Sequence, residues 1–225
     1  MGNLELFFRG LDWTVVTGAL LSVIPILLCL TIHELSHGAA ALALGDDTAK
    51  RMGRLTLNPI KHIDPIGLVM MLLMRFGWAK PVPVDMRNFR RPKTDMALVA
   101  LAGPVSNFLL AGLILLFQVP LLYLFLDGGV GRYIAETLFL TAVISVYLGL
   151  FNLLPIPPLD GSKIAFSFLP DRQHYFLMRY ERYGFFILVA LIWFGFVTGP
   201  LRDLMNTVVG WMIFDGRVSM LLFGR

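Results

Sequence analysis

The sequence predicts an all-α polytopic membrane protein, a helical bundle of about four to six spans carrying a small β-rich or re-entrant insertion. Three observations support that reading. Apolar residues fill 57% of the 225 positions and charged residues 15%, with a mean hydropathy of +0.74; a soluble domain runs at about 45–50% and about 25%. The apolar residues come in runs near the roughly 20 residues that a crossing needs. The charges gather between the runs, above all in 45–93. Together these exclude most soluble enzymes and every disordered or fibrous class.

The first run, Trp13–Leu44, contains Pro25. Glu5 and Asp12 precede it where a secretory leader would be basic, so it reads as a retained span. Leu6 stands where a myristoylated N-terminus carries Ser or Thr. Residues 45–93 turn polar, interrupted by apolar Ile66–Trp78; at about 12 residues this piece is too short to cross and reads as a re-entrant or interfacial hairpin between the first two spans. Arg54–Leu57 and Lys80–Val84 read as edge strands or extended segments. Three more apolar runs follow at 97–126, 134–159 and 185–199, while 204–223 reads as a fifth span or an interfacial helix. The whole of 1–225 reads as one membrane-embedded domain. Its single cysteine, Cys29, lies inside an apolar run, which excludes a disulfide framework and a cysteine metal site.

Sidedness follows from counting charges. If loop 45–93 lies on one face, alternation puts 127–133 on the other and returns the chain after 159 to the first. The loop holds ten Lys or Arg, the turn holds only Arg132, and Lys163, Arg172, Arg179 and Arg182 follow the third run. The positive-inside rule therefore makes the loop side cytoplasmic. The same rule accounts for the net charge of +4 without a nucleic-acid partner. The expected location is a cell membrane, crossed several times, with the lipid bilayer as solvent.

Ionisable groups at membrane depth are costly and mark functional sites. Near the end of the first run stands His33-Glu34-Leu35-Ser36-His37, an HExxH pattern. On a helix, His33 and His37 share a face one turn apart and reach one metal ion, while Glu34 reaches a water beside it. His37 lies seven residues before Leu44, or roughly 10 Å below the end of the run. The plainer alternative is a histidine pair hydrogen-bonded within the bundle. A zinc site needs a third protein ligand, and Asp160 stands on the same side at a break made by Pro155, Pro157 and Pro158. Broken backbone at this depth is tolerated where it is buried or lines a wet cavity. For Asp160 the alternative is a helix cap or an ion pair with Lys163.

HExxH in one span, followed two spans later by residues 152–161 (NLLPIPPLDG), resembles the site-2 protease family of intramembrane zinc metalloproteases. Residues 53–59 (GRLTLNP), 62–67 (HIDPIG), 78–84 (WAKPVPV) and 102–107 (AGPVSN) fit the same resemblance, which covers about 30–165. It implies one Zn2+ per chain held by His33, His37 and Asp160, and Glu34 as the catalytic carboxylate. Asn152 and Asn107 become candidates for substrate or oxyanion contacts. The implied activity is hydrolysis of peptide bonds in transmembrane protein substrates near the cytoplasmic side, the chemistry of regulated intramembrane proteolysis. Larger members insert a PDZ domain where this sequence has a link of about eight residues, and others append a CBS domain, so the expectation is a compact catalytic form. The sequence names neither a substrate nor an oligomeric state.

Two other functions compete with this one. A catalytically silent binding module is opposed by the intact Glu34. A metal or proton transporter is expected to show internal repeats with matched broken helices, whereas the sequence shows a single Pro-rich break. Among the remaining residues, His62 reads as a loop hydrogen-bonding group or a fourth ligand, and His174 as solvated. The Phe185–Phe196 aromatics read as a lipid-facing or packing surface. Gly103-Pro104 reads as the opening of the second span, its glycine allowing close helix approach. The Pro-Val-Pro-Val alternation of 81–84 suggests either an edge for an extended substrate or a surface connector.

Overall fold

The computed structural model describes residues 13–74, 79–125 and 129–212. It is helical, in chain order α1 (Trp13–Ala43), α2 (Thr48–Arg51), α3 (Pro65–Met74), α4 (Pro92–Phe125), α5 (Gly129–Asn152), α6 (Asp160–Ser167), α7 (Asp171–Trp193) and α8 (Thr198–Met212). Two 3-10 turns, Pro59–His62 and Met86–Asn88, lie in the insertion. Among the described residues, three helices are long and apolar enough to cross a membrane: Val23–Ala43, Pro92–Phe117 and Tyr133–Asn152. A fourth crossing is reached only if Tyr183–Trp193 and Thr198–Gly210 count as one span, and these are bent by 78°.

That bend revises the expected run at 185–199. The helix stops at Trp193, and Gly195 takes a left-handed φ of +79°, a conformation open to glycine without steric cost. The second half of the 204–223 segment lies outside the described residues. Phe186, Trp193, Phe194 and Phe196 are all exposed.

α4 packs most extensively on α5 and next on α1. Small residues make the close approach possible: Ala111, Ala142 and Val146 form a buried cluster, and Cys29 and Ser145 are fully enclosed. Hydroxyls within the spans bond back to their own helices, Thr31 to the Leu27 carbonyl and Ser36 to that of Ile32. Leu109, Leu116 and Phe117 face outward on α4.

The insertion is not β-rich. Among the described residues the only sheet-like pairing is an antiparallel bridge between Ile63 and Ala79. Arg54–Leu57 forms no strand, and 81–84 takes no regular secondary structure, while the Lys80 N–H donates to the His62 carbonyl beside that bridge. Pro81 and Pro83 have no N–H to give to a ladder. The apolar piece after Asp64 is instead a ten-residue helix, α3, shorter than a crossing; Arg75–Trp78 lies outside the described residues. Side-chain hydrogen bonds take the place of a sheet. Asp46 is fully buried and accepts from the Thr48 N–H and hydroxyl, the Asp85 N–H and the Asn88 amide. Phe89 then packs with Ala41 of α1 and Val99 of α4, which seats the returning chain against both helices.

Candidate metal centre

α1 and α4 meet in matched steps of four residues. His33 and His37 are one turn apart on α1; Val99, Gly103 and Asn107 follow one another at the same interval on α4. The His37 Nδ1 lies 2.7 Å from the Val99 carbonyl, and the His33 Nδ1 lies 3.0 Å from the Asn107 amide. Gly103 sits between them. A Cβ there would stand 2.5 Å from Cε1 and Nε2 of His37 and 2.6 Å from Cε1 of His33, so only glycine leaves room for both rings.

Asp160 arrives from the other direction. α5 ends at Asn152, the prolines prevent its continuation, and the chain folds back through a cis Pro157–Pro158 peptide into α6. At the turn, a Cβ on Gly161 would collide with the Leu153 carbonyl oxygen. Glycine at 161 therefore lets the fold-back close and delivers Asp160 to the histidines. α7 closes over the same turn, with Gly184 against Pro157.

The three side chains converge. Nε2 of His33 and Nε2 of His37 each lie 3.1 Å from Oδ2 of Asp160 and 3.0 Å from each other. All three residues are buried. Two imidazole nitrogens and a carboxylate oxygen facing one point could hold one metal ion, and their types and number match what zinc takes when positions are left open. Their spacings suit one ion at the usual bond lengths of about 2.0–2.2 Å. The outer nitrogens agree with this. A carbonyl can only accept, so Val99 fixes the proton of His37 on Nδ1 and leaves the Nε2 lone pair for metal. A half-turn of the Asn107 amide puts Oδ1 on the His33 Nδ1–H and does the same there; the two ends of a carboxamide are interchangeable in shape.

A cavity of about 280 Å3 adjoins the cluster. Glu34, Val82, Asn152 and Lys163 stand on its wall with the three donors. Glu34 Oε2 accepts a 2.7 Å hydrogen bond from the Val82 N–H. The segment that carries Val82 is pinned by Arg54, a buried guanidinium donating to the carbonyls of Lys80 and Pro81 at 2.8 and 3.2 Å.

The positions read from the sequence thus fall into two groups. His33, Glu34, His37, Asp160 and Asn152 come together at the cavity, while Asn107 is fully enclosed behind His33 and is not among the cavity-lining residues. Asn152 donates to its own helix at the Leu148 carbonyl, 2.9 Å away. His62 is no part of the cluster and bonds the Thr56 carbonyl at 2.9 Å. His174, expected to be solvated, is buried, with Nδ1 3.0 Å from the Phe166 carbonyl. Gly103, read from the sequence as opening the second span and allowing close helix approach, lies well inside α4, where it makes that approach possible; Val82 and Arg54 carry weight that sequence reasoning does not assign to them. The four-residue register of 99, 103 and 107 against 33 and 37 is the available signal for Gly103.

Comparison with known proteins places the chain among zinc metalloproteases. The chain is 41% identical over 202 residues to "Putative zinc metalloprotease YwhC" of Bacillus subtilis, covering 88% of each chain. The chain belongs to peptidase family M50. The profile of that family matches residues 127–195, which include Asn152 and Asp160. Two mycobacterial proteins named "Putative zinc metalloprotease Rip2" are 30% identical: that of Mycolicibacterium smegmatis over 87% of this chain and 74% of its own, and that of Mycobacterium tuberculosis over 93% and 76%. No solved structure matches the chain. As an M50 member it is a zinc metalloprotease, with three helices among its described residues long and apolar enough to cross a membrane.

Proposed function

We propose that residues 1–225 act as one membrane-embedded catalytic domain that hydrolyses peptide bonds of transmembrane protein substrates, near the cytoplasmic face of a cell membrane. The observation that carries this reading is the convergence of Asp160 on His33 and His37, which stand with Glu34 inside an apolar helix. The cytoplasmic side is supported by the ten basic residues of 45–93.

In this reading His33, His37 and Asp160 are the zinc ligands, and Asn107 and Val99 hold the two imidazoles in the ligating tautomer. Zinc, when bound, supplies Lewis-acid polarisation of the scissile carbonyl and of the attacking water. Glu34 takes a proton from that water as its oxygen attacks the carbonyl carbon. The carbonyl π pair moves onto oxygen, and the tetrahedral species then collapses with cleavage of the C–N bond. Glu34 returns its proton to the leaving amine. The Val82 N–H holds one carboxylate oxygen of Glu34, leaving Oε1 to accept the proton.

A transmembrane helix hides its carbonyls in i to i+4 bonds, so the substrate has to unwind before it reaches Glu34. The Lys80–Val84 segment beside the cavity serves as the edge on which the unwound stretch lies. Lys80 and Pro81 hand their carbonyls to Arg54, which keeps that edge in place without a sheet behind it.

The test is to reconstitute the protein in vesicles with single-span substrates and to map the cut by mass spectrometry. Cuts within the apolar segment, in its half nearer the cytoplasmic flank, are expected. Cuts confined to soluble loops would reject the intramembrane reading, and undiminished cutting after deletion of 80–84 would reject the docking edge.

A further inference from the structure

We infer that Lys163 is a catalytic residue of this site, the cation that receives the negative charge developing on the scissile carbonyl oxygen. The inference rests on the proteolytic reading above and adds a charged donor to the neutral oxyanion candidate read from the sequence, Asn152.

The cavity wall offers few donors. Pro81 and Pro158 have no N–H. The Val82 N–H is given to Glu34, and one of the two N–H donors of the Asn152 amide goes to the Leu148 carbonyl, which leaves the other as the neutral side-chain donor on the wall. The outer nitrogens of His33 and His37 are engaged with α4, and their inner ones face Asp160. Among the described residues, Lys163 is the one cationic side chain lining the cavity besides the histidines. Its position follows from the helix: three residues after Asp160 on α6, it shares the face that Asp160 presents to the site.

The geometry leaves its ammonium available. Nζ lies 3.9 Å from Oδ1 of Asp160, the oxygen that the histidines do not share. That is an ion pair at its outer limit and too long for a hydrogen bond. The side chain is 22% exposed, so the charge is partly withdrawn from water while facing the cavity. An ammonium has three donors, and none is committed to Asp160 at that distance. A preorganised donor at a developing oxyanion in a water-poor site typically contributes about 100–1000-fold in kcat.

The test compares wild type, Lys163→Met and Lys163→Arg, each purified with its zinc content measured. Two readouts are taken: kcat and KM on a single-span substrate, and affinity for a peptide phosphonamidate, whose tetrahedral anionic phosphorus mimics the attacked carbonyl. Lys163→Met should lose about 100-fold in kcat with KM within about twofold. Its phosphonamidate affinity should fall by a similar factor, and its zinc content should stay at the wild-type level. Lys163→Arg should recover part of both losses. Loss of zinc from Lys163→Met would overturn the inference and leave Lys163 as a positioning residue for Asp160. So would a rise in KM at constant kcat, or full activity in an active preparation. A zinc-loaded wild type that cuts no substrate and ignores the phosphonamidate would instead reject the proteolytic reading itself.

Discussion

The N–H of Val82 donates to Oε2 of Glu34 across 2.7 Å, tying this segment of the insertion to the carboxylate of the HExxH helix. Their 48-residue separation makes this a tertiary device that fixes where the segment lies over the cavity. Hydrogen bonds to charged groups contribute about 1.5–3 kcal/mol. Val82→Pro removes the donor at a position between two prolines. Its kcat should fall about tenfold or more, with zinc content unchanged. Val82→Ala keeps the N–H and loses only packing, so it should stay within a few-fold of wild type; steady-state cleavage of one substrate by both variants checks this.

Gly103 makes the metal centre sterically possible. A methyl at that position would meet the two imidazoles at 2.5 and 2.6 Å, well inside van der Waals contact. Neither ring can move aside without leaving Asp160 or its α4 partner. Gly103→Ala should therefore insert normally but bind zinc far more weakly. Metal content after dialysis against a graded zinc buffer measures it; wild-type retention would mean that the two helices part without cost.

Asn107 is enclosed behind His33 and is not part of the cavity wall. Partners that orient a ligating histidine are typically worth about 10–100-fold in metal affinity or activity. Asn107→Ala should show that loss in zinc affinity, and saturating zinc should restore much of kcat. A substrate-contacting asparagine would give the opposite pattern, with zinc affinity intact and KM raised.

Asp46 gives the insertion an acid-sensitive anchor. Burial alone would raise its carboxyl, but hydrogen bonds from Thr48, the Asp85 N–H and Asn88 prevail and hold it below the usual carboxylate range. A folded-state value below the unfolded one, about 3.9, means that the stabilisation is complete above that pH. It is lost as pH falls through the folded value. Thermal unfolding in detergent should come at lower temperature in wild type as pH drops below about 4. Asp46→Asn should start less stable at pH 7 and show a smaller acid-dependent loss.

An apolar background makes the ionisable members of the site conspicuous in the sequence. His33, Glu34, His37 and Asp160 stand in or beside spans, and their spacing against helix geometry and a proline break is enough to bring them together. What stays hidden depends on partners distant in the chain. Gly103 looks like any span glycine until α1 is docked in register with α4, and Asn107 looks like a substrate contact until His33 is seen to cover it. In the insertion, residue type suggests strands where, among the described residues, only Ile63 and Ala79 pair. Pro81 and Pro83 lack the N–H donors, and the side chains of Asp46 and Arg54 satisfy the backbone instead. The 78° break after Trp193 hangs on a single glycine conformation, which hydropathy does not register.

The most direct test of the central claim is cleavage of a single-span substrate by purified protein beside Glu34→Gln, with zinc measured in both. The account predicts about one zinc per chain in each, cleavage by wild type that a chelator abolishes and added zinc restores, and none by the variant. Equal cleavage by a zinc-loaded Glu34→Gln would contradict it, because the carboxylate beside the metal centre would then have no part in the chemistry.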